Sequence, residues 1–296
     1  MVSVLIPIYN TDVRAFVKQI IDQLEKNQVE GEVLCIDDGS LEQFKILNKE
    51  ISNLKFVQYK ELNQNIGRSR IRNLLANTAR YKWLLFMDCD SKITNPNFLA
   101  SYLKYTEKTN TLIYGGTSYQ VELPKPEHVL HWKYGKEREC ITALERNKNK
   151  FGTFKTNNFF VPNLLFEKIK FDENITSYGH EDTLFALDIE RNGFEIIHIE
   201  NPLQHDGLEV NEVFLQKQHT AIRNLAKLYS QKLVGNEIRI IKFYNRLKSF
   251  GLIGLFKLIY LKNPSNLESN LKIENPNLRN LDKLKLFWLI EKLKKN

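Results

Sequence analysis

Asp88 and Asp90 stand two residues apart, directly after the run Trp83-Leu84-Leu85-Phe86-Met87. Two carboxylates delivered together are hard oxygen donors, suited to Mg²⁺ or Mn²⁺ bridging a diphosphate. Pairs of this kind also occur in solvated turns, so their chemistry depends on their setting. The five apolar residues before them read as a strand buried on both faces. In an open α/β sheet, ligands bind beyond the carboxyl ends of such strands.

Three more polar stretches follow apolar runs. In Pro7-Ile8-Tyr9-Asn10, Pro7 has no N–H for a ladder and marks a strand end. Tyr9 could flank a nucleobase and Asn10 could hydrogen-bond it; an ordinary strand-end turn is the plain alternative. Ile36-Asp37-Asp38-Gly39-Ser40 reads as a turn opening a helix. Its carboxylates would repel phosphates, so they suit a uracil N–H or ribose hydroxyls, or else a helix cap. Asn65-Ile66-Gly67-Arg68-Ser69-Arg70-Ile71-Arg72-Asn73 places a glycine and three arginines at a helix start, which makes a diphosphate site or a solvated basic helix. Arg68 and Arg72 are four apart and share a face, whereas Arg70 points elsewhere.

The elements that must position these groups alternate along the first 90 residues. Apolar, β-branched runs at Val2–Ile8, Glu32–Ile36, Lys55–Tyr59 and Trp83–Met87 are separated by amphipathic stretches at Val13–Asn27, Leu41–Ile51 and Gly67–Ala79. Val13, Phe16, Val17, Ile20, Ile21 and Leu24 share one helical face, with Thr11 or Asp12 as its cap. Strand alternating with helix predicts βαβ units and a mostly parallel, Rossmann-like sheet flanked by helices. Beyond Asp90 a helix is expected at Phe98–Thr106 and a strand at Thr111–Val121. Leu123–Lys150 reads as an irregular, polar connection of the kind that carries active-site loops. An apolar strand is expected from Phe159, a helix at Glu181–Arg191 and a strand at Phe194–Ile199.

The charge is unevenly placed. Residues 214–296 hold 17 of the 43 lysines and arginines but 5 of the 35 acidic residues, a net +12 that leaves −4 for the rest of a chain carrying +8. A near-neutral body with a basic extension points to an anionic partner for the extension. The three cysteines have no metal-ligand spacing, and a reducing compartment is the simpler reading. The chain opens on a strand, without room for a signal peptide, and its longest spanning candidate, Phe250 to Leu261, is too short and contains Lys257.

VSVLIPIYN at 2–10, IDDGS at 36–40, NIGRSRIRN at 65–73 and MDCDS at 87–91 together resemble, in order and spacing, the family 2 glycosyltransferases with a GT-A fold. Ile71 stands where that family usually has Ala, a packing change. The resemblance covers residues 1 to about 210 and implies a nucleotide-sugar donor, usually UDP-linked. On it, Asp38 contacts the uracil, Pro7 and Tyr9 line the base pocket and Asn10 adds to it. Asp88 faces the ribose and sugar, Asp90 binds Mn²⁺ or Mg²⁺, and Arg72 reaches the diphosphate or donor sugar; Arg68, on the same helical face, is a further donor-binding candidate.

Tyr178-Gly179-His180-Glu181-Asp182 resembles the same family's Glu-Asp motif. The pair begins a helix, where the dipole alone would favour carboxylates. The resemblance makes Asp182 the base for an inverting transfer, with Glu181 orienting acceptor or donor sugar. His205, in Gln204-His205-Asp206-Gly207, matches a histidine that often completes the family's metal site, and a neutral imidazole suits Mn²⁺. On the acceptor side Asn158, beside Asn157, and Trp132 are the candidates.

The implied organisation is a GT-A catalytic domain at 1–212, with a nucleotide-sugar half at about 1–91 and an acceptor half at 92–212, then a basic amphipathic helical extension at 213–296. Helical spacing at Ile238–Leu261 and Leu278–Leu293 fits either two helices packed on the catalytic domain or a region at 236–296 resting on anionic lipid. The second would suit a lipid-linked acceptor in bacterial surface-glycan synthesis, in the cytoplasm or peripherally on the inner face of the plasma membrane. No nucleic-acid reading motif is present. A catalytically inert sugar-nucleotide-binding module is the competing reading. A nucleotidyltransferase lacks its glycine-rich basic loop after the first strand, and a P-loop kinase its Gly-Lys-Ser/Thr.

Overall fold

In the first 90 residues the periodic stretches become the elements their periods dictate, and the strands arise where β-branched and aromatic residues cluster. In the computed structural model, which describes residues 1–260 and 264–294, the strands are β1 (Val2–Ile8), β2 (Gly31–Asp37), β3 (Val57–Glu61), β4 (Trp83–Met87), β5 (Ser91–Lys92), β6 (Thr111–Tyr114), β7 (Thr117–Tyr119), β8 (Asn158–Pro162), β9 (Glu195–His198) and β10 (Leu203–His205). The helices are α1 (Arg14–Lys26), α2 (Glu42–Asn48), α3 (Arg68–Thr78), α4 (Phe98–Leu103), α5 (Val129–Tyr134), α6 (Ala143–Arg146), α7 (Asn163–Lys168) and α8 (Glu181–Arg191). They continue as α9 (Asn211–Ser230), α10 (Arg239–Ser249), α11 (Ile253–Tyr260), α12 (Pro264–Asn270) and α13 (Leu278–Lys294).

Seven strands form one sheet in the order β3-β2-β1-β4-β8-β6-β9. All neighbours are parallel except β8, which runs antiparallel to β4 and β6. A small sheet, β5-β10-β7, pairs β10 antiparallel with β5 and parallel with β7. This is the GT-A architecture, a mainly parallel sheet between helices. One face of the large sheet packs Val4, Ile6, Leu85 and Met87 against Val17, Ile20 and Leu24 of α1. The other face carries an aromatic cluster in which Phe86 stacks on Phe159 at 4.5 Å and Phe171 on Phe185 at 4.2 Å. At the start of α1, Asp12 accepts the Arg14 N–H at 3.1 Å, while Asn48 of α2 accepts that of Val13 at 3.0 Å.

The chain divides into two units, 1–120 with 139–176 and 181–207, and 121–138 with 177–180 and 208–296. In the second, α5, α9, α12 and α13 bury their own core of Leu130, Phe214, Leu215, Leu271, Leu278, Leu281 and Leu284. Among the described residues no helix is long and apolar enough to cross a membrane.

Three expectations need correction. Thr111–Val121 is not one strand: the chain breaks at Gly115-Gly116 and its halves, β6 and β7, enter different sheets. Gly116 has φ +100°, and a Cβ there would come within 2.5 Å of the Arg146 guanidinium. Leu123–Lys150 is not irregular, for it contains α5 and α6. Its polarity hid helices whose partners lie far along the chain. The stretch from Ile238 turns at Gly251 (φ +67°) into α10 and α11; Leu261 lies outside the described residues.

Candidate functional site

Because β1, β2 and β4 are parallel neighbours, their C-terminal ends meet at one sheet edge. The ends are stitched together locally. Asp38 N–H donates to Ile8 O at 2.7 Å, Asn10 N–H to Ser40 Oγ at 2.8 Å, and Leu41 N–H to Asn10 Oδ1 at 2.8 Å. Asn10 therefore fixes this edge with its amide oxygen, in a left-handed conformation at φ +51°. Pro7 is the last residue but one of β1, and Tyr9, just past the strand, is half exposed.

Asp38 is buried, and its two carboxylate oxygens accept the Ile66 N–H at 2.7 Å and the Gly67 N–H at 3.2 Å. Burial pushes its carboxyl above the usual range, against those two bonds. Its first structural task is thus to pin the loop that launches α3. From α3, Arg72 enters the interior with a side chain only 2% exposed and donates from Nη2 to Asp88 Oδ1 at 2.8 Å. Glu181 Oε1, at the start of α8, lies 3.7 Å from Arg68 Nη1 and 3.9 Å from Arg72 Nη1. Its Oε2 is buried without a hydrogen-bond partner among the described residues. Arg70 faces outward toward Glu173.

Asp88 is fixed from behind by its N–H to Asn157 O at 3.0 Å. Cys89, turned toward the core, has its thiol pushed up to about 12 by burial and stays protonated at neutral pH. Asp90 lies 3.5 Å from His205 Nδ1, a pair held together where β10 joins β5. Burial pushes the Asp90 carboxyl up, but the hydrogen bond and charge of His205, with Arg68, outweigh it and hold it at about 2. Burial likewise lowers His205, and Asp90 raises it above its ordinary value.

A divalent ion is a fit for this pair. Among the described residues no three His, Cys, Asp or Glu side chains gather into a cage. One carboxylate and one imidazole are the donor set of a metal that shares its shell with substrate phosphates. Gly207 leaves the space: a Cβ there would sit 2.7 Å from an Asp90 carboxylate oxygen.

Asp182 uses Oδ1 to accept from the Thr183 N–H at 2.7 Å and its hydroxyl at 3.2 Å, and pairs Oδ2 with Lys155 Nζ at 2.9 Å. Lys155 escaped the sequence reading because a single lysine ahead of a strand carries no motif. The structure therefore brings Arg68, Arg72, Asp88, Asp90, Glu181, Asp182 and His205 to the edge defined by Pro7, Tyr9, Asn10 and Asp38.

Asn158 does not belong with them as an acceptor contact. It is fully buried, accepting from Tyr102 Oη at 2.6 Å and donating to Gly116 O and Asn201 O at 3.2 and 2.9 Å. Its side chain faces the fold interior and locks the corner between β6 and β7. Trp132 lies on α5, in the second unit.

Comparisons with known proteins bear on the family and the fold. A glycosyltransferase of Rickettsia bellii is 29% identical over 240 residues, covering 79% of this chain and 31% of that protein. Chondroitin synthase of Escherichia coli is 25% identical over 239 residues, covering 69% of this chain and 34% of its own. The chain thus spans about a third of the length of these two relatives. A mannosyltransferase of Pyrobaculum calidifontis, solved with GDP-Man and Mn²⁺, superposes with a TM-score of 0.60 at 14% identity, covering all of this chain and 86% of that one. The family model for glycosyl transferase family 2 matches residues 3–168, more than half of the sequence, and the chain belongs to that family.

Proposed function

We propose that the chain transfers a sugar from a UDP-sugar to a hydroxyl of a saccharide or lipid-linked acceptor, with inversion at the anomeric carbon and with Mn²⁺ or Mg²⁺ at the diphosphate. The observation that carries this reading is the bonded Arg72–Asp88 pair, with Glu181 beside Arg72 and with Asp90, two residues further along the chain just past the end of β4, paired with His205. The Mn²⁺ in the mannosyltransferase supports the metal, and its GDP-Man makes guanine the competing base. The name of the Escherichia coli relative supports a polysaccharide product. A lipid-linked acceptor would put the working enzyme at the inner face of the plasma membrane.

Arg68 and Arg72 would receive the diphosphate, Arg72 already oriented by its bond to Asp88 and costing no reorganisation when charge develops. Tyr9 would cover the base, and Asp38, whose oxygens each keep a lone pair, would accept from its N–H. When bound, a divalent ion held by Asp90 and His205 would supply Lewis-acid stabilisation to the departing diphosphate. Asp182 would take the acceptor proton on Oδ2, the oxygen not tied to Thr183. Lys155 holds that oxygen at rest and would yield it to the acceptor hydroxyl. Glu181 would align the donor sugar from beside the arginines.

NMR of the product tests the stereochemistry: an α-linked UDP-sugar should give a β-linkage, and a retained α-linkage would remove Asp182 from its role. Binding of donor without turnover on any acceptor would leave the inert-module reading.

A further inference from the structure

α11 reads Ile-Gly-Leu-Phe-Lys-Leu-Ile-Tyr, and a helix apolar on nearly every side belongs in a core or against an apolar phase. Yet none of residues 253–259 is buried. Leu255, Leu258 and Ile259 are 52%, 67% and 58% exposed, and Phe250, at 67%, leads into the helix. The one charge in α11 is turned aside, since Lys257 pairs with Glu291 of α13 and lies over the Phe287 ring. The outward face is left without a charge.

α10 supplies the complement. Ile241 and Tyr244 are buried and anchor it, with Tyr229 Oη donating to Asn245 at 2.6 Å. Its other side exposes Arg239, Lys242 and Arg246, and Lys248 is exposed near its end; none of the four has an acidic partner among the described residues. Residues 238–260 contain five lysines and arginines and no aspartate or glutamate. An apolar tip on an anchored, wholly basic hairpin fits an interface that is apolar within and anionic at its surface. A second copy fits it poorly, because it would bring two such positive patches together.

We propose that the α10–α11 hairpin docks on an anionic lipid bilayer, Phe250, Leu255, Leu258 and Ile259 entering the acyl boundary while Lys242, Arg246 and Lys248 engage lipid phosphates. This stands independently of the donor chemistry. The full chain is sedimented with vesicles of phosphatidylcholine alone and of phosphatidylcholine mixed with phosphatidylglycerol. The expected result is binding roughly tenfold or more tighter to the anionic vesicles, weakened by salt. Leu255→Glu with Leu258→Glu abolishes it, and Lys242→Gln with Arg246→Gln removes the anionic preference, near-UV circular dichroism showing both variants folded. Phe250→Trp adds a readout of depth: blue-shifted emission quenched by brominated acyl chains, and unmoved by inorganic phosphate. Three results would overturn the proposal: no sedimentation with anionic vesicles, equal binding by the glutamate variant, or a wild-type dimer that the glutamate variant turns into a monomer.

Discussion

Arg72 is a buried guanidinium shared between Asp88 and Glu181, and it ties α3 and α8 to the end of β4. A lysine can keep the charge but not the planar fork. Arg72→Lys is therefore expected to lower kcat/KM by about 100-fold, while Arg70→Ala, on the solvent side of the same helix, leaves it within about twofold; steady-state kinetics separate the two. Asp182→Asn should lower kcat by about 1,000-fold and leave UDP affinity unchanged, a split that a merely structural residue would not produce. The residues gathered past β1, β2 and β4 stood out in the sequence because they follow apolar runs, or, for Arg68 and Arg72, a glycine that opens a helix. Lys155 did not, and the setting of Asn158 was not legible. A strand alternates its faces, so proximity to Phe159 left open whether Asn157 or Asn158 turned inward, and Asn158 proved to be the buried one.

At the scale of elements, the corner between β6 and β7 rests on Arg146, a buried guanidinium that donates to Gly115 O at 3.1 Å, Ile199 O at 2.7 Å, Ile141 O and His198 Nδ1 at 3.3 Å. Gly116→Ala would force a side chain against it at positive φ and should cost about 2 kcal/mol or more of stability, read from urea unfolding. His198 accepts from Arg146 on Nδ1 and lies 2.8 Å from Lys150 O through Nε2, which requires the neutral ring with its proton on Nε2. Burial, with the Arg146 charge, lowers its pKa from 6.5 to about 4. The unfolded chain then binds a proton over that interval and the folded chain does not. The contribution is whole above pH 6.5 and is lost as pH falls toward about 4. Urea midpoints should decline across that window in the wild type and less steeply in His198→Gln. The sequence placed Gly115-Gly116 inside a strand because periodicity sees neighbours, whereas the break is imposed by Arg146, some 30 residues on.

For the whole molecule, the alternation of the first 90 residues carried the mainly parallel sheet flanked by helices, since strand and helix in turn make right-handed βαβ units. The small β5-β10-β7 sheet could not be read, because two- and three-residue strands have no period. Nor could the grouping of 121–138 with the C-terminal helices, which arises from contacts far apart in sequence. The central claim remains that the β1, β2 and β4 ends form a metal-dependent uridine-nucleotide site. Calorimetric titration with UDP, GDP and a panel of UDP-sugars, with and without Mn²⁺, on the wild type and Asp90→Ala, tests it most directly. The account predicts Mn²⁺-dependent binding of UDP and of one UDP-sugar above the others, lost in Asp90→Ala. Failure of every uridine nucleotide to bind, or binding indifferent to both Mn²⁺ and Asp90, would contradict it.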